Sequence, residues 1–247
     1  MHNVNVAVES PRGWILGIDT SSEQLGVALS DGRASAELSW PAGRQQSTLL
    51  LPAIEALLSR LGLGIGDLDA IAVAIGPGTF NGLRAGLGTA KGLALGSGLP
   101  LFGVETLAAT VLPFLVRGRL TVGVVAAGRG RVVSAVYRPS DGPDEPGIPA
   151  EVGAPHNGSI DDLGRRLAGL DGPVTLVGEL GDEELAAMAP LLPNLDLWVP
   201  PAPVRGRRPG SVAAIGLRRR ARHELDDPDA LDAIYLHSAT RPAAPGS

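Results

Sequence analysis

The stretch from Ile71 to Val104, IAVAIGPGTFNGLRAGLGTAKGLALGSGLPLFGV, limits what the chain can fold into more than any other. Ile71–Ile75 is a short apolar run of the kind a central parallel strand shows. Gly76-Pro77-Gly78 ends it, Thr79 is a good helix N-cap, and the spacing predicts a helix from about Asn81 to Leu95. A further strand then runs to Val104. Gly82, Gly86, Gly88 and Gly92 all fall inside the helix, and each costs about 1 kcal/mol against alanine. Tertiary packing must therefore hold it. Gly82, Ala85, Gly86, Thr89 and Leu93 recur three or four apart and share one face, while Leu83, Leu87, Ala90 and Ala94 form a line suited to a sheet. On the residues alone the small-residue face has two open readings, close packing within the domain or contact with a partner's helix. A phosphate loop fits poorly. The spacing G-x-G-x-x-x-G departs from both dinucleotide and Walker patterns, and Pro77 removes an N–H that a phosphate would use.

The rest of the chain repeats this α/β grammar. Strands are expected at Trp14–Ile18, Leu25–Leu29 and Ala34–Trp40, the last two joined by an Asp31-Gly32 hairpin turn. A polar loop follows at Gly43–Thr48, then a helix over Leu50–Leu61 that Gly62 ends. A helix over about Leu107–Val116 closes the first pass. The second begins with strands Leu120–Ala126 and Val132–Tyr137 around Gly128-Arg129-Gly130. It continues with a surface loop at Pro139–Pro155, a helix at Ile160–Leu170 and a strand at Val174–Val177. A helix at Glu183–Leu192, a strand at Leu195–Val199 and a helix at Ser211–Leu225 complete it. The reading is two α/β units in tandem, the second less regular, with a loose leader at 1–13 and a floppy tail at 241–247.

At 247 residues, 44% hydrophobic but only 3% aromatic, the chain can build a sizeable aliphatic core. It has no cysteine, which excludes disulfides, thiolate metal sites and a cysteine nucleophile and agrees with a cytoplasmic protein. A net charge of −5 argues against nucleic-acid binding by a broad basic surface. The apolar segment Leu99–Val116 is broken by Pro100, Gly103, Glu105 and Pro113, so no membrane span is expected.

Candidate chemistry centres on Asp19, at the end of the first strand, with Thr20 and Ser21. An Asp-Thr-Ser-Ser hairpin can hold a phosphate or a Mg²⁺-bound water, and can equally be a turn whose aspartate caps its own backbone. No second acid is found at the end of a neighbouring core strand. The histidines His2, His156, His223 and His237 form no H-x-x-x-H pair, and His156 is expected on a surface loop. Arg205, Arg207, Arg208, Arg218, Arg219, Arg220 and Arg222 are expected to form a solvated helix face, with contact to RNA phosphates or an acidic partner as the other reading.

With these pieces placed, ILGIDTSS (15–22), LGVALSDG (25–32) and IGPGTFNGLRAGLGTAKGLALGSGLPLFGVETLAA (75–109) closely resemble the TsaB proteins. The signature G-P-G-[ST]-F-x-G-[LV]-R is matched by Gly76–Arg84. The likeness is strong over 14–110, fades, and returns at AIYLHSA (233–239), where His237 replaces an arginine. The family is the non-catalytic subunit of the bacterial machinery that adds a threonylcarbamoyl group to the adenosine beside the tRNA anticodon.

The resemblance implies an α/β fold of the actin/Hsp70/sugar-kinase superfamily with two tandem RNase H-like domains. These would be 14–116, carrying the partner-binding helices, and a smaller, divergent 117–240. It implies a larger catalytic paralogue (TsaD-like) that holds ATP and a metal, an ATPase subunit (TsaE-like), and tRNA met only within the complex. This chain would have no cofactor and no catalytic residue of its own, and would pair with a second copy when the partner is missing. The implied interface is Gly82, Ala85, Gly86, Thr89 and Leu93, with Leu50, Ile54 and Leu57 of the neighbouring helix; Asp19, Thr20 and Ser21 would be a vestigial phosphate site. Departures from the family are Gln46 where a histidine is common, and Ala126-Ala127-Gly128 where many members have D-A-R. The rival readings are an ATP-dependent phosphotransferase of the same superfamily, with Gly128-Arg129-Gly130 as a second phosphate loop, and a self-associating interaction protein.

Overall fold

The computed structural model of the chain describes residues 13–128, 130–140 and 148–235. The expected leader before Gly13, the tail at 241–247, His2, His237 and Arg129 lie outside them.

The first unit begins as an antiparallel meander of β1 (Trp14–Asp19), β2 (Gln24–Ser30) and β3 (Ser35–Pro41). At its expected turn the Asp31 carboxylate accepts from the N–H groups of Arg33 at 2.8 Å and Ala34 at 2.6 Å. Helix α1 (Gln46–Leu61) leads through a 3-10 turn to β4 (Leu68–Gly76), and α2 (Phe80–Ser97) leads to β5 (Leu101–Glu105). Both strands run parallel to β1, giving the order β3-β2-β1-β4-β5. Gly62 and Gly98, at φ 66° and 69°, end the two helices in the left-handed conformation that favours glycine. Helix α1 starts at Gln46, earlier than the sequence suggests. Gln46 is buried and its Nε2 donates to the Ser22 carbonyl, which fixes the first turn.

The alternation in β4 decides which layer covers each face. Ile71 and Val73 point into a core with Leu16, Ile18, Val27, Leu50, Ile54, Leu57, Leu87 and Ala90, beneath α1 and α2. Ala70, Ala72 and Ala74 point the other way, with Ile15, Ala28 and Phe102. That face is nearly smooth, and α7 (Pro209–Ala221) lies on it through Val212, Ala213 and Leu217. The approach is close. A Cβ on Gly17 would meet the Ala213 nitrogen and Pro209 oxygen at 2.8 Å, and one on Gly216 would meet the Ala72 Cβ at 2.5 Å.

The second unit repeats the plan. Strands β6 (Leu120–Gly128) and β7 (Arg131–Pro139) form a hairpin. Two short strands, β8 (Pro149–Glu151) and β9 (His156–Ser159), share the outer edge of β7. This corrects the expected loop at Pro139–Pro155 in its described part, and it moves His156 from a loop into an edge strand. Glycine and proline hid pieces that stand only on their pairing with β7. Helix α4 (Ile160–Ala168), β10 (Val174–Gly178), α5 (Asp182–Met188) and β11 (Leu197–Trp198) follow, with β10 and β11 parallel to β6. The four-residue α6 (Ala202–Arg205) then precedes α7.

Helix α3 (Thr106–Val111) is shorter than expected, because a 3-10 turn at Leu112–Phe114 takes up Pro113. It packs mainly on the second sheet, where Leu107 and Val111 meet Val125, Val133, Ala135 and Val177. The division between residues 116 and 117 thus separates the two sheets but not their helices. The helix that ends each unit lies largely on the other unit's sheet. Among the described residues no helix is long and apolar enough to cross a membrane.

Gly216→Val is expected to destabilise the protein by about 1–3 kcal/mol through overpacking against Ala72. Gly92→Ala, in open space on α2, should stabilise it by about 0.5–1 kcal/mol. Urea unfolding midpoints check both.

Candidate functional site

The carboxyl ends of β1 and β10 approach each other between the two sheets, at the kind of crevice where open α/β sheets hold ligands. Asp19 is 3% exposed. Its Oδ1 accepts from the Ser21 N–H at 3.0 Å and the Ser21 hydroxyl at 2.5 Å, so one oxygen caps its own turn. Its Oδ2 lies 3.3 Å from Nε of Arg207. The Arg207 Nη2 lies 3.2 Å from Oε1 of Glu179, one residue beyond β10. Glu179 Oε2 accepts from the Ala126 N–H at 3.0 Å. The missing second acid of the sequence reading is therefore Glu179. It comes from the other sheet, and the two carboxylates face a guanidinium supplied by the chain itself.

Two cavities flank this cluster. One, of about 520 Å³, is lined by Ser22, Thr79, Ala126, Gly128, Glu179 and Arg207 among others. The other, of about 470 Å³, is lined by Pro77, Gly78, Ala127, Arg131, Asn157 and Tyr235 among others. Ala126 and Gly128 line both and Ala127 lines the second, so this segment offers neither cavity a charged side chain. Among the described residues no group of three or more His, Asp or Glu side chains could hold a metal ion.

The glycines of the signature have a structural reason. The Thr79 N–H donates to the Ser21 carbonyl at 2.7 Å, and the Ile234 N–H to the Ile75 carbonyl at 2.7 Å. A Cβ on Gly76 would meet the Ile234 carbonyl at 2.5 Å, and one on Gly78 would run into the Ser21 carbonyl closer than 3.0 Å. Gly82 and Gly86 are equally tight against the carbonyl and hydroxyl of Thr20, whose Oγ1 donates to the Gly82 carbonyl at 2.7 Å. Thr20 is thus a peg between β1 and α2.

This places the expected interface residues differently. Gly82, Gly86, Leu50, Ile54 and Leu57 are buried within the chain and have no surface to offer a partner. Ala85, Thr89 and Leu93 are half-buried. The face that α2 leaves open carries Phe80, Arg84, Gly88, Gly92, Leu95 and Gly96; an added Cβ at any of these three glycines would meet nothing within 4 Å. Leu95 is 87% exposed and Phe80 50%, and Leu51 of α1 is also exposed. Arg84 lies over the Phe80 ring at 4.2 Å, and Tyr235 meets the same ring at 5.4 Å between centroids. A helix with small residues on two faces gives no periodic signal for which one turns inward.

The arginine-rich segment also departs from a solvated face. Arg205 is buried and donates to the Leu180 carbonyl at 2.6 Å. Arg219 donates to the Gly103 carbonyl at 2.7 Å and to Asp226 at 2.6 Å, and Arg220 pairs with Asp69 at 2.8 Å. Burial works against the charge on Arg219, but Asp226 and Glu224 overcome it and raise its pKa. Burial and the nearby Arg222 lower that of Arg218. These side chains mostly fasten α7 to the first sheet.

Comparison with known proteins adds a family context. Residues 41–144 match the family described as TsaD: tRNA N6-adenosine threonylcarbamoyltransferase. The chain is 43% identical over 94 residues to tRNA threonylcarbamoyladenosine biosynthesis protein TsaB of Escherichia coli, covering 38% of this chain and 40% of that protein. It is 33% identical over 172 residues to the protein of the same name from Bacillus subtilis, covering 66% of this chain and 70% of that one. The chain thus spans about two fifths of the Escherichia coli relative and more than two thirds of the Bacillus one. Among solved structures, YeaZ from Pseudomonas aeruginosa superposes with a TM-score of 0.71 at 21% identity, over 91% of this chain and all of that one. That likeness shows that the chain, with its two mixed sheets, shares the YeaZ fold.

Gly86→Leu is expected to destabilise the fold by about 1–3 kcal/mol, because its side chain would displace Thr20. Asp19→Ala should cost about 3–5 kcal/mol, since it leaves Arg207 buried with one partner removed. Equilibrium denaturation measures both.

Proposed function

This chain belongs to the TsaB family, and on that premise we propose that it is a non-catalytic scaffold subunit in tRNA threonylcarbamoyladenosine biosynthesis. It pairs with a larger TsaD-like paralogue that holds ATP and a metal and carries out the transfer. A TsaE-like ATPase joins them, tRNA is met only by the assembled complex, and the setting is the cytoplasm. When the paralogue is missing, the same surface pairs two copies of this chain.

The observation that carries this reading is the open face of α2. Phe80, Gly88, Gly92 and Leu95 form an apolar and small-residue strip interrupted by Arg84. Such a strip lets a second helix approach closely and bury large side chains at its margins. The pairing surface is therefore this strip, with half-buried Ala85, Thr89 and Leu93 at its border, instead of the inward line of Gly82 and Gly86. The absence of catalysis is supported by the crevice. A phosphotransferase needs Asp19 available to a metal or phosphate, whereas here the carboxylate is engaged by Ser21 and Arg207.

Co-purification of the tagged chain should bring a larger paralogue in near-equal amount, and removing this chain should abolish threonylcarbamoylation in a reconstituted tRNA assay. Recovery of the chain without that paralogue would refute the pairing. Gly88→Leu should leave the unfolding midpoint unchanged or slightly raised. It should weaken pairing by at least about tenfold, the equivalent of roughly 1.4 kcal/mol, as read by titration calorimetry.

A further inference from the structure

Three charges from distant parts of the sequence meet between the two sheets. Asp19 ends β1 of the first sheet, Glu179 follows β10 of the second, and Arg207 sits on the connection from α6 to α7. The side chains of Arg207 and Asp19 are 4% and 3% exposed, that of Glu179 27%. Taking charges out of water is costly, and apolar residues of similar volume usually hold a core as well or better. A buried guanidinium between two carboxylates of different sheets therefore calls for a reason other than packing.

Its geometry supplies one. The guanidinium is planar and carries donors that point in different directions, so it can bridge two carboxylates that a compact ammonium could not reach together. Nε faces Asp19 and Nη2 faces Glu179. Neither carboxylate is a loose end. The second oxygen of Glu179 holds the Ala126 N–H of β6, and the second oxygen of Asp19 holds Ser21. In turn the Ser21 carbonyl takes the Thr79 N–H at the start of α2, and Thr20 Oγ1 donates to Gly82 one turn later. A continuous path of polar contacts runs from β6 and β10 through Arg207 to the N-terminal turn of α2.

We propose that Arg207 is an interdomain latch. Its guanidinium fixes the spacing of the two sheets at the mouth of their crevice, and it is a positioning residue for the start of α2. The proposal concerns this chain alone and stands whether or not the pairing described above occurs.

The test is a distance distribution by double electron–electron resonance on the full chain. The sequence has no cysteine, so Ser59→Cys on α1 and Glu183→Cys on α5, both exposed, label the two units without background. The parent should give one narrow distribution. Arg207→Lys and Glu179→Gln should each give a broader one at longer distance, with Arg207→Lys the larger shift. Arg207→Ala should open similarly, and free guanidinium at sub-denaturing concentration should return it towards the parent. Folded Arg207→Lys and Glu179→Gln proteins with unchanged distributions would overturn the latch, because the exchanged helices would then fix the spacing unaided. Broadening in Arg207→Ala that guanidinium does not reverse would also overturn it, by assigning the change to lost packing. If Arg207→Ala does not fold by circular dichroism, the other two variants decide.

Discussion

The structure turns on how closely one hairpin approaches one helix. The Asp19-Thr20-Ser21-Ser22 turn presses on the Gly78–Gly86 stretch, where a Cβ at Gly78 or Gly82 would strike its backbone and one at Gly86 the Thr20 hydroxyl. That approach puts Thr20 within reach of the Gly82 carbonyl and the Ser21 carbonyl within reach of Thr79. It also sets the level at which Asp19 emerges beneath Arg207. The glycines weaken α2 as an isolated helix, and the packed hairpin replaces what propensity withholds. The signature is thus a record of steric contact within one chain, with no phosphate needed to explain it.

Much of the architecture was legible. The order of strands and helices, the Asp31-Gly32 turn and the glycine ending of α1 follow from short-range rules that the structure obeys. The line Leu83, Leu87, Ala90 and Ala94 is buried as its periodicity indicates. Even the large-small alternation of Ile71–Ile75, read there only as an apolar run, encodes two different covering layers. What was illegible depends on distant partners. β8 and β9 exist because β7 offers an edge, and nothing in Pro149–Glu151 or His156–Ser159 announces that.

The candidate site was harder for the same reason. A helical wheel of α2 shows two faces of small residues, and only the position of Thr20 decides that Gly82 and Gly86 turn inward while Gly88 and Gly92 stay open. An arginine-rich run looks solvated until its acids are found. Here they are Asp19, Asp69, Glu179 and Asp226, scattered over most of the chain. The family resemblance singled out α2, but two of the residues it implied there, Gly82 and Gly86, are buried within the chain.

The exchange of closing helices bears on how the protein is made. As the chain leaves the ribosome, the first sheet is complete by Glu105, yet much of its alanine-lined face stays uncovered until residues 209–221 arrive. Everything between must be synthesised while that surface is open to water and to other nascent chains. A half-length product then holds the complete first sheet with much of one face uncovered. Until then Ala28, Ala70, Ala72 and Ala74 present apolar surface that only the last long helix of the chain will largely bury.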